Sequence, residues 1–291
     1  MQIGDWKATR GLNESYLAIR QMGLETSIAE LDAFGFTVIE NAASPELVAR
    51  LKSAVLKTAE ARGDTTLEVV DGKSSRQGMK YENHLLIKDR AFEEALMLEK
   101  PLALVKYLAG DSCIFSTMGS HLRGDGGAEL PLHADVGGWV PQPFPLCPFF
   151  VNYTLALTDY TRELGSVAVV PGSHKKCRPP SSREMSVTDN EHAIPVETSA
   201  GSAIIWHGNL WHGGYVRTVP GFRINLAMVF LRSGLMPQED YRGLIPQETF
   251  DRNGETFARL LGRDVPWNFG EEGPDYAKIG KQAAASRNWY S

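Results

Sequence analysis

From residue 112 onward the chain breaks into short apolar runs, each rich in β-branched or aromatic residues and separated from the next by Gly, Pro or Asp: CIFSTM, ELPLHAD, FFVNYTLAL, SVAVVP, GSAIIW, LWHGGYV and RINLAMVFL. That texture predicts antiparallel strands closed into a sandwich or barrel. At 291 residues the chain exceeds the usual domain size, yet closed β folds commonly run to ~250 residues as one unit.

The flanks read differently. Residues 1–30 look amphipathic and irregular and are expected to cover the core. FGFTVIEN (34–41) alternates like a strand. Ser44-Pro45-Glu46 then supplies an N-cap hydroxyl, a proline for the first helical position and an acid for the first turn. Leu47, Val48, Leu51, Val55 and Leu56 follow at helical spacing, predicting a helix over about 45–62. A second helical stretch covers 91–108 with Pro101 as an interruption, and another covers about 246–262. With no repeat and no low-complexity linker, the reading is one domain over 1–291. Residues 1–110 form a helical cover with one strand, 111–232 the β core, and 233–291 a helical tail.

Composition removes several classes. An apolar fraction of 43% with 22% charged residues excludes a wholly disordered chain. A net charge of −5 without long blocks of like charge argues against a nucleic-acid partner. No stretch approaches the ~20 apolar residues needed to span a bilayer, and MQIGDWKATR lacks the apolar centre of a secretory signal, so no membrane partner and a cytoplasmic location are expected. Cys113, Cys147 and Cys177 are odd in number and far apart, which suggests neither a disulfide framework nor a zinc knuckle. The expected partner is a small-molecule substrate, and a homodimer stays open.

Of seven histidines, His133 stands out because Asp135 follows two residues later in PLHAD, where strand alternation puts both side chains on one face. Downstream, IIWHGNLWHGGYVRTVPGFRINLAMVF carries His207, His212 and Arg223. Two imidazoles and one carboxylate make the facial triad of a non-haem Fe(II) oxygenase, with open positions for a bidentate ligand and O₂. His212 is preferred to His207 as the third ligand, because Gly213-Gly214 permits close approach and Arg223 lies 11 residues further on, as in a short hairpin turning near Thr218–Gly221. An arginine inside an apolar strand needs an anion, and a ligand carboxylate gripped by the guanidinium fork supplies one. The competing reading is an ion pair with a distant acid. After Asp135, VGGWVPQPFPLCPFF (136–150) is too rich in Pro, Gly and aromatics for a strand. It reads as a loop over the metal mouth, with Trp139, Phe144 and Phe149 as candidate substrate walls.

The ordered set His133-x-Asp135, LTDYTRELGSVAVVPGSHK (157–175), WHGNLWHGG (206–214) and Arg223 resembles the phytanoyl-CoA dioxygenase family of Fe(II)/2-oxoglutarate oxygenases. The opening GFTVIENAASPELVARL is similar too, and the tail resembles that of members acting on terpenoid and alkaloid natural products. The resemblance implies a mainly β fold with flanking helices around a double-stranded β-helix, the jelly-roll or cupin architecture. It implies Fe(II), 2-oxoglutarate and O₂ as cofactor and cosubstrates, His133, Asp135 and His212 as ligands, and Arg223 as the clamp for the distal carboxylate. Thr154 would assist cosubstrate binding, Trp206 would pack against it, and His174 would be structural. Many relatives carry glutamine three residues before the first histidine. Here that position is Leu130, so Glu129 or a side chain of strand 112–120 is the expected replacement.

The implied reaction couples decarboxylation of 2-oxoglutarate to succinate and CO₂ with oxidation of an unactivated C–H by hydroxylation, desaturation or rearrangement. No catalytic side chain beyond the metal centre is assigned. The aromatic loop suits a mostly apolar small molecule of secondary metabolism, and a carboxylate at 135 argues against halogenation, since halogenating relatives carry Gly or Ala there. Two other readings stand. Arg217 and Arg223 form the R-x₅-R pattern of nucleic-acid dealkylating dioxygenases, and a β-helix barrel can serve as a non-catalytic metal or ligand-binding protein.

Overall fold

The computed structural model describes residues 13–75, 80–241, 243–263 and 269–285. Two helices, α1 (Asn13–Gln21) and α2 (Glu25–Phe34), open it, where the sequence suggested irregular chain. Strand β1 (Phe36–Ile39) follows, then helix α3 (Pro45–Ala61), capped as its sequence predicts by the Ser44 hydroxyl, which accepts from Leu47 N at 3.2 Å. A short strand β2 (Lys80–Glu82) precedes α4 (Arg90–Leu96) and α5 (Glu99–Ala109). The cover therefore has two strands rather than one. Pro101 lies in the first turn of α5, where a missing N–H costs nothing, and the break falls earlier, at Met97–Leu98.

Eight strands then build the core: β3 (Ile114–Arg123), β4 (Leu130–His133), β5 (Phe150–Ala156), β6 (Val167–Val169), β7 (Ile194–Pro195), β8 (Ala203–His207), β9 (His212–Gly214) and β10 (Arg223–Leu231). They form two antiparallel sheets, a larger one ordered β1-β8-β5-β10-β3-β2 and a smaller one ordered β4-β9-β6-β7. Apart from the consecutive pair β6 and β7, the core strands alternate between the sheets, as in a double-stranded β-helix, so most strands close in space are far apart in sequence. The expected hairpin between His212 and Arg223 is absent, because β9 pairs with β4 and β6 while β10 pairs with β3 and β5. The tail holds α6 (Gln247–Leu260), kinked at Gly254, a two-stranded ribbon of β11 (Phe269–Gly270) and β12 (Gly273–Pro274), and α7 (Tyr276–Ala285). No helix among the described residues is long and apolar enough to cross a membrane.

Strand alternation sorts the larger sheet into two faces. Val151, Tyr153 and Leu155 of β5 and Ile224, Leu226, Met228 and Phe230 of β10 pack beneath the helices with Leu51, Phe92 and Leu108. Asn152, Thr154, Arg223 and Asn225 are left to face the barrel interior. On β3, Phe115 and Met118 join the same helical cluster although they are three residues apart. A β-bulge explains this: the register with β10 shifts between Val229 and Phe230, leaving Ser116 as the extra residue. The polypeptide after β10 covers that bulge. Glu239 N donates to Ser116 O at 3.0 Å, and the buried Glu239 carboxylate accepts from Met118 N at 2.9 Å, His84 N at 2.7 Å and the Tyr241 hydroxyl. Replacing Glu239 with Ala strands these donors, so urea unfolding is expected to show a loss of about 3 kcal/mol.

Candidate metal centre

The end of β4 and the start of β9 are neighbours in the smaller sheet, and His133 is paired directly with His212. Their ring centroids are 4.3 Å apart. Strand β4 stops at His133, so alternation does not deliver Asp135. Instead a 3₁₀ turn over Asp135–Gly138 swings the carboxylate back toward the two rings. His133 Nε2 lies 3.5 Å from Asp135 Oδ1, and His212 Nε2 lies 3.4 Å from Oδ2. One ligand atom from each residue falls within 4.8 Å of the others, the one such triad of His, Cys, Asp or Glu found among the described residues.

Hydrogen bonds settle the tautomers. His133 Nδ1 is 2.8 Å from Pro131 O and His212 Nδ1 is 3.0 Å from Leu210 O. A carbonyl only accepts, so each Nδ1 carries the proton and each Nε2 turns a lone pair toward Asp135. Asn152, on the inward face of β5, donates Nδ2–H to Asp135 Oδ2 at 2.6 Å and holds the carboxylate in place. Burial raises the Asp135 pKa, but the adjacent His212 and His133 rings and the hydrogen bond donated by Asn152 outweigh it and hold the carboxyl at about 2. For His133 burial acts downward, and the Asp135 hydrogen bond and charge reverse it to a net rise. His212 is lowered by burial. Two neutral imidazoles and an anionic carboxylate fit a divalent iron, and the side-chain exposures of His133 (39%) and Asp135 (26%) show the approach side.

His207 is excluded from the triad by its own bonds. Its Nε2 lies 2.9 Å from Leu146 O and its Nδ1 accepts from Asn209 N at 3.0 Å, while burial pushes its pKa down to about 3. With Asn209 Nδ2 donating to Pro145 O at 2.8 Å, it pins the 140–149 loop. On that loop Phe144 is buried in the core cluster beside Val136 and Phe150, so it serves as an anchor. Phe149 is partly buried against the same cluster, and Trp139 is half exposed with its ring 5.9 Å from Phe150.

Arg223 is 4% exposed at the start of β10. Its guanidinium stacks 4.8 Å over Tyr160, and its Nε has no hydrogen-bond partner among the described residues. The Tyr160 hydroxyl and Trp206 Nε1 are likewise buried and unpartnered, and Trp206 lies 5.0 Å, centroid to centroid, from His212. Tyr160 and Trp206 belong to one buried cluster. Unsatisfied donors thus run from the histidines to the guanidinium, which is what a bound keto-diacid would satisfy. Thr154 sits on the same face as Asn152, between Ile204 and Ala227 of the flanking strands. Glu129, expected to contact the cosubstrate, is occupied elsewhere, accepting from Val187 N and Thr188 N at 3.0 Å each. Arg217 is committed to the carbonyls of Val219, Leu164 and Pro220. Asn152 and Tyr160 escaped sequence reasoning. A polar residue midway along the otherwise apolar FFVNYTLAL was the available signal for the first.

A double-stranded β-helix that sets two histidines and an aspartate at its open end, with an arginine inside that has no ion-pair partner among the described residues, defines the class of non-haem iron oxygenases. The profile of the phytanoyl-CoA dioxygenase (PhyH) family matches residues 31–224, and the chain belongs to that family. It is 25% identical over 228 residues to the ectoine dioxygenase of Nocardia farcinica, a match covering 70% of this chain and 76% of that protein. A shorter match, 30% over 120 residues, covers 40% of this chain and 36% of the Fe(II)/2-oxoglutarate-dependent dioxygenase nvfF of Aspergillus novofumigatus. In structure it resembles HygX of Streptomyces hygroscopicus with nickel and 2-oxoglutarate bound, at a TM-score of 0.61, 17% identity and coverage of 73% of this chain and 88% of that one. Another HygX structure contains hygromycin B. The chain is an Fe(II)/2-oxoglutarate-dependent dioxygenase.

Two outcomes follow from the triad. Asn152→Ala frees the Asp135 carboxylate and is expected to weaken Mn(II) binding by about 10- to 100-fold in calorimetry. A proton on His133 Nε2 competes with metal, and its pKa is raised. Mn(II) affinity should therefore be full at alkaline pH and fall as pH drops through a value above the ordinary ~6.5 of imidazole.

Proposed function

We propose that His133, Asp135 and His212 hold Fe(II), that Arg223 grips the distal carboxylate of 2-oxoglutarate, and that the enzyme oxidises an unactivated C–H of a mostly apolar small molecule. The observation that carries this reading is the convergence of three ligand atoms from β4, its following turn and β9, at one end of a buried interior whose other end holds an unpaired guanidinium. Iron held there would, with 2-oxoglutarate and O₂, supply the oxidising chemistry, one oxygen atom of O₂ ending in succinate as CO₂ leaves and the other going to the oxidation of the substrate. The protein's part is positional. Asn152 orients Asp135, the Pro131 and Leu210 carbonyls hold each neutral imidazole in the tautomer with its proton on Nδ1, and Trp206 closes the interior beside His212. Thr154 faces the same interior and adds a hydroxyl within it.

Substrate would enter over the exposed edge of His133. There Trp139 offers an aromatic face, Phe149 is partly buried against the cluster that holds Phe150, and Phe144 anchors the loop. Because the loop is tied to His207 and Asn209, these walls are fixed relative to the metal, and the C–H held nearest is the one oxidised. The aromatic walls and the hygromycin-bound relative support a natural-product-like substrate.

Anaerobic addition of Fe(II) and 2-oxoglutarate should produce a weak visible charge-transfer band. His212→Ala is expected to abolish the band and succinate formation, whereas His207→Ala should keep the band and lower thermal stability by releasing the loop. Absence of a band in the unmodified protein, or its survival in His212→Ala, refutes the assignment. A metabolite panel scored by substrate-stimulated succinate release identifies the substrate.

A further inference from the structure

A second guanidinium lies beside Arg223. Arg123, the last residue of β3, is its direct cross-strand partner. Opposed residues of an antiparallel pair share a face at a Cβ separation of about 5 Å, so both side chains enter the same interior. Two contacts set the position of Arg123. Its Nη2 donates to Ala128 O at 2.8 Å, and its Nη1 occupies the space left by Gly214, where an added Cβ would stand 2.5 Å away. Gly214 is two residues beyond His212 and therefore on the same face of β9. Arg123 thus reaches from the larger sheet to the strand that carries a metal ligand.

Like charges directly opposed on a ladder destabilise it. Neither arginine forms an ion pair among the described residues. Burial and the Arg223 charge lower the Arg123 pKa. Burial and both arginines push His121, two residues back on the same face, down to about 4. Two cations with a neutral imidazole, bordered by the unpartnered Tyr160 hydroxyl, make a site that presents donors and lacks an anion.

We propose that Arg123 and Arg223 together grip the distal carboxylate of 2-oxoglutarate. The proposal rests on the role given above to Arg223. Gly214 is part of the device, because a side chain there would displace the guanidinium.

Calorimetry on the Mn(II)-loaded full chain tests it, with 2-oxoglutarate and with 2-oxobutanoate, which has the same keto-acid head and no distal carboxylate. The unmodified protein should prefer 2-oxoglutarate. Arg123→Met should weaken 2-oxoglutarate by about tenfold or more and leave 2-oxobutanoate within about twofold. Arg123→Lys should fall between, and Gly214→Ala should reproduce the loss, since its added methyl meets only the tip of a flexible side chain. The proposal is overturned if Arg123→Met binds 2-oxoglutarate like the unmodified protein, including the case in which only the KM of an organic substrate rises. Equal weakening of both acids also overturns it, because that marks a structural role. An unmodified protein without preference for 2-oxoglutarate instead removes the Arg223 reading itself, so the two failures are distinguishable.

Discussion

The pairing of β4 with β9 places His133 across from His212, and the chemistry of the barrel depends on that register. A slip of one residue would turn one ring to the opposite face of the sheet and leave Asp135 with a single partner. Gly213 allows the strands to approach this closely, because a Cβ there would collide with the Leu130 carbonyl. Strand β4 and the turn leading into β9 supply the carbonyls that fix the tautomers. In each case the accepting oxygen lies two residues before the histidine, so the ligand and its orienting partner arrive on one short piece of backbone. Only the carboxylate is held from outside this pair, by Asn152 of the larger sheet.

Charge is divided along the interior. Asp135 lies at the open end, held well below the usual carboxylate range by His212 and His133, and the arginines lie further in. His121 and His207 are kept neutral by burial, whereas the adjacent Asp135 carboxylate raises the His133 pKa. A keto-diacid bound with its head at the metal and its tail at the guanidinium matches this polarity. The helical cover contributes by burying the outer faces of β5 and β10, which lets the inner faces of the same strands carry Asn152, Thr154 and Arg223.

The parts readable before the structure were those governed by local chemistry. Ser44-Pro45-Glu46 announced the start of α3 because capping and the proline preference act within one turn. The apolar runs beyond residue 112 announced strands for a similarly local reason. Pro101 does not interrupt a helix, because its effect depends on which turn it occupies, and that turn is set by the break at Met97–Leu98. The hairpin between His212 and Arg223 failed because pairing partners are chosen across the whole barrel rather than between neighbours. The bulge at Ser116 and its Glu239 cover are joined across more than 100 residues, and no local pattern records them.

Donor identity was carried by the sequence: two imidazoles, one carboxylate and a guanidinium, in an order and spacing compatible with one site. Residue type and short-range periodicity are sufficient for that, since both are properties of a few consecutive residues. The fold decided the rest: the turn rather than strand alternation that swings Asp135 inward, the protonated nitrogen of each imidazole, the removal of His207 from the ligand set, and the placing of Arg123 beside Arg223 and Gly214. Each of these depends on hydrogen bonds or burial between segments that come together only when the two sheets close.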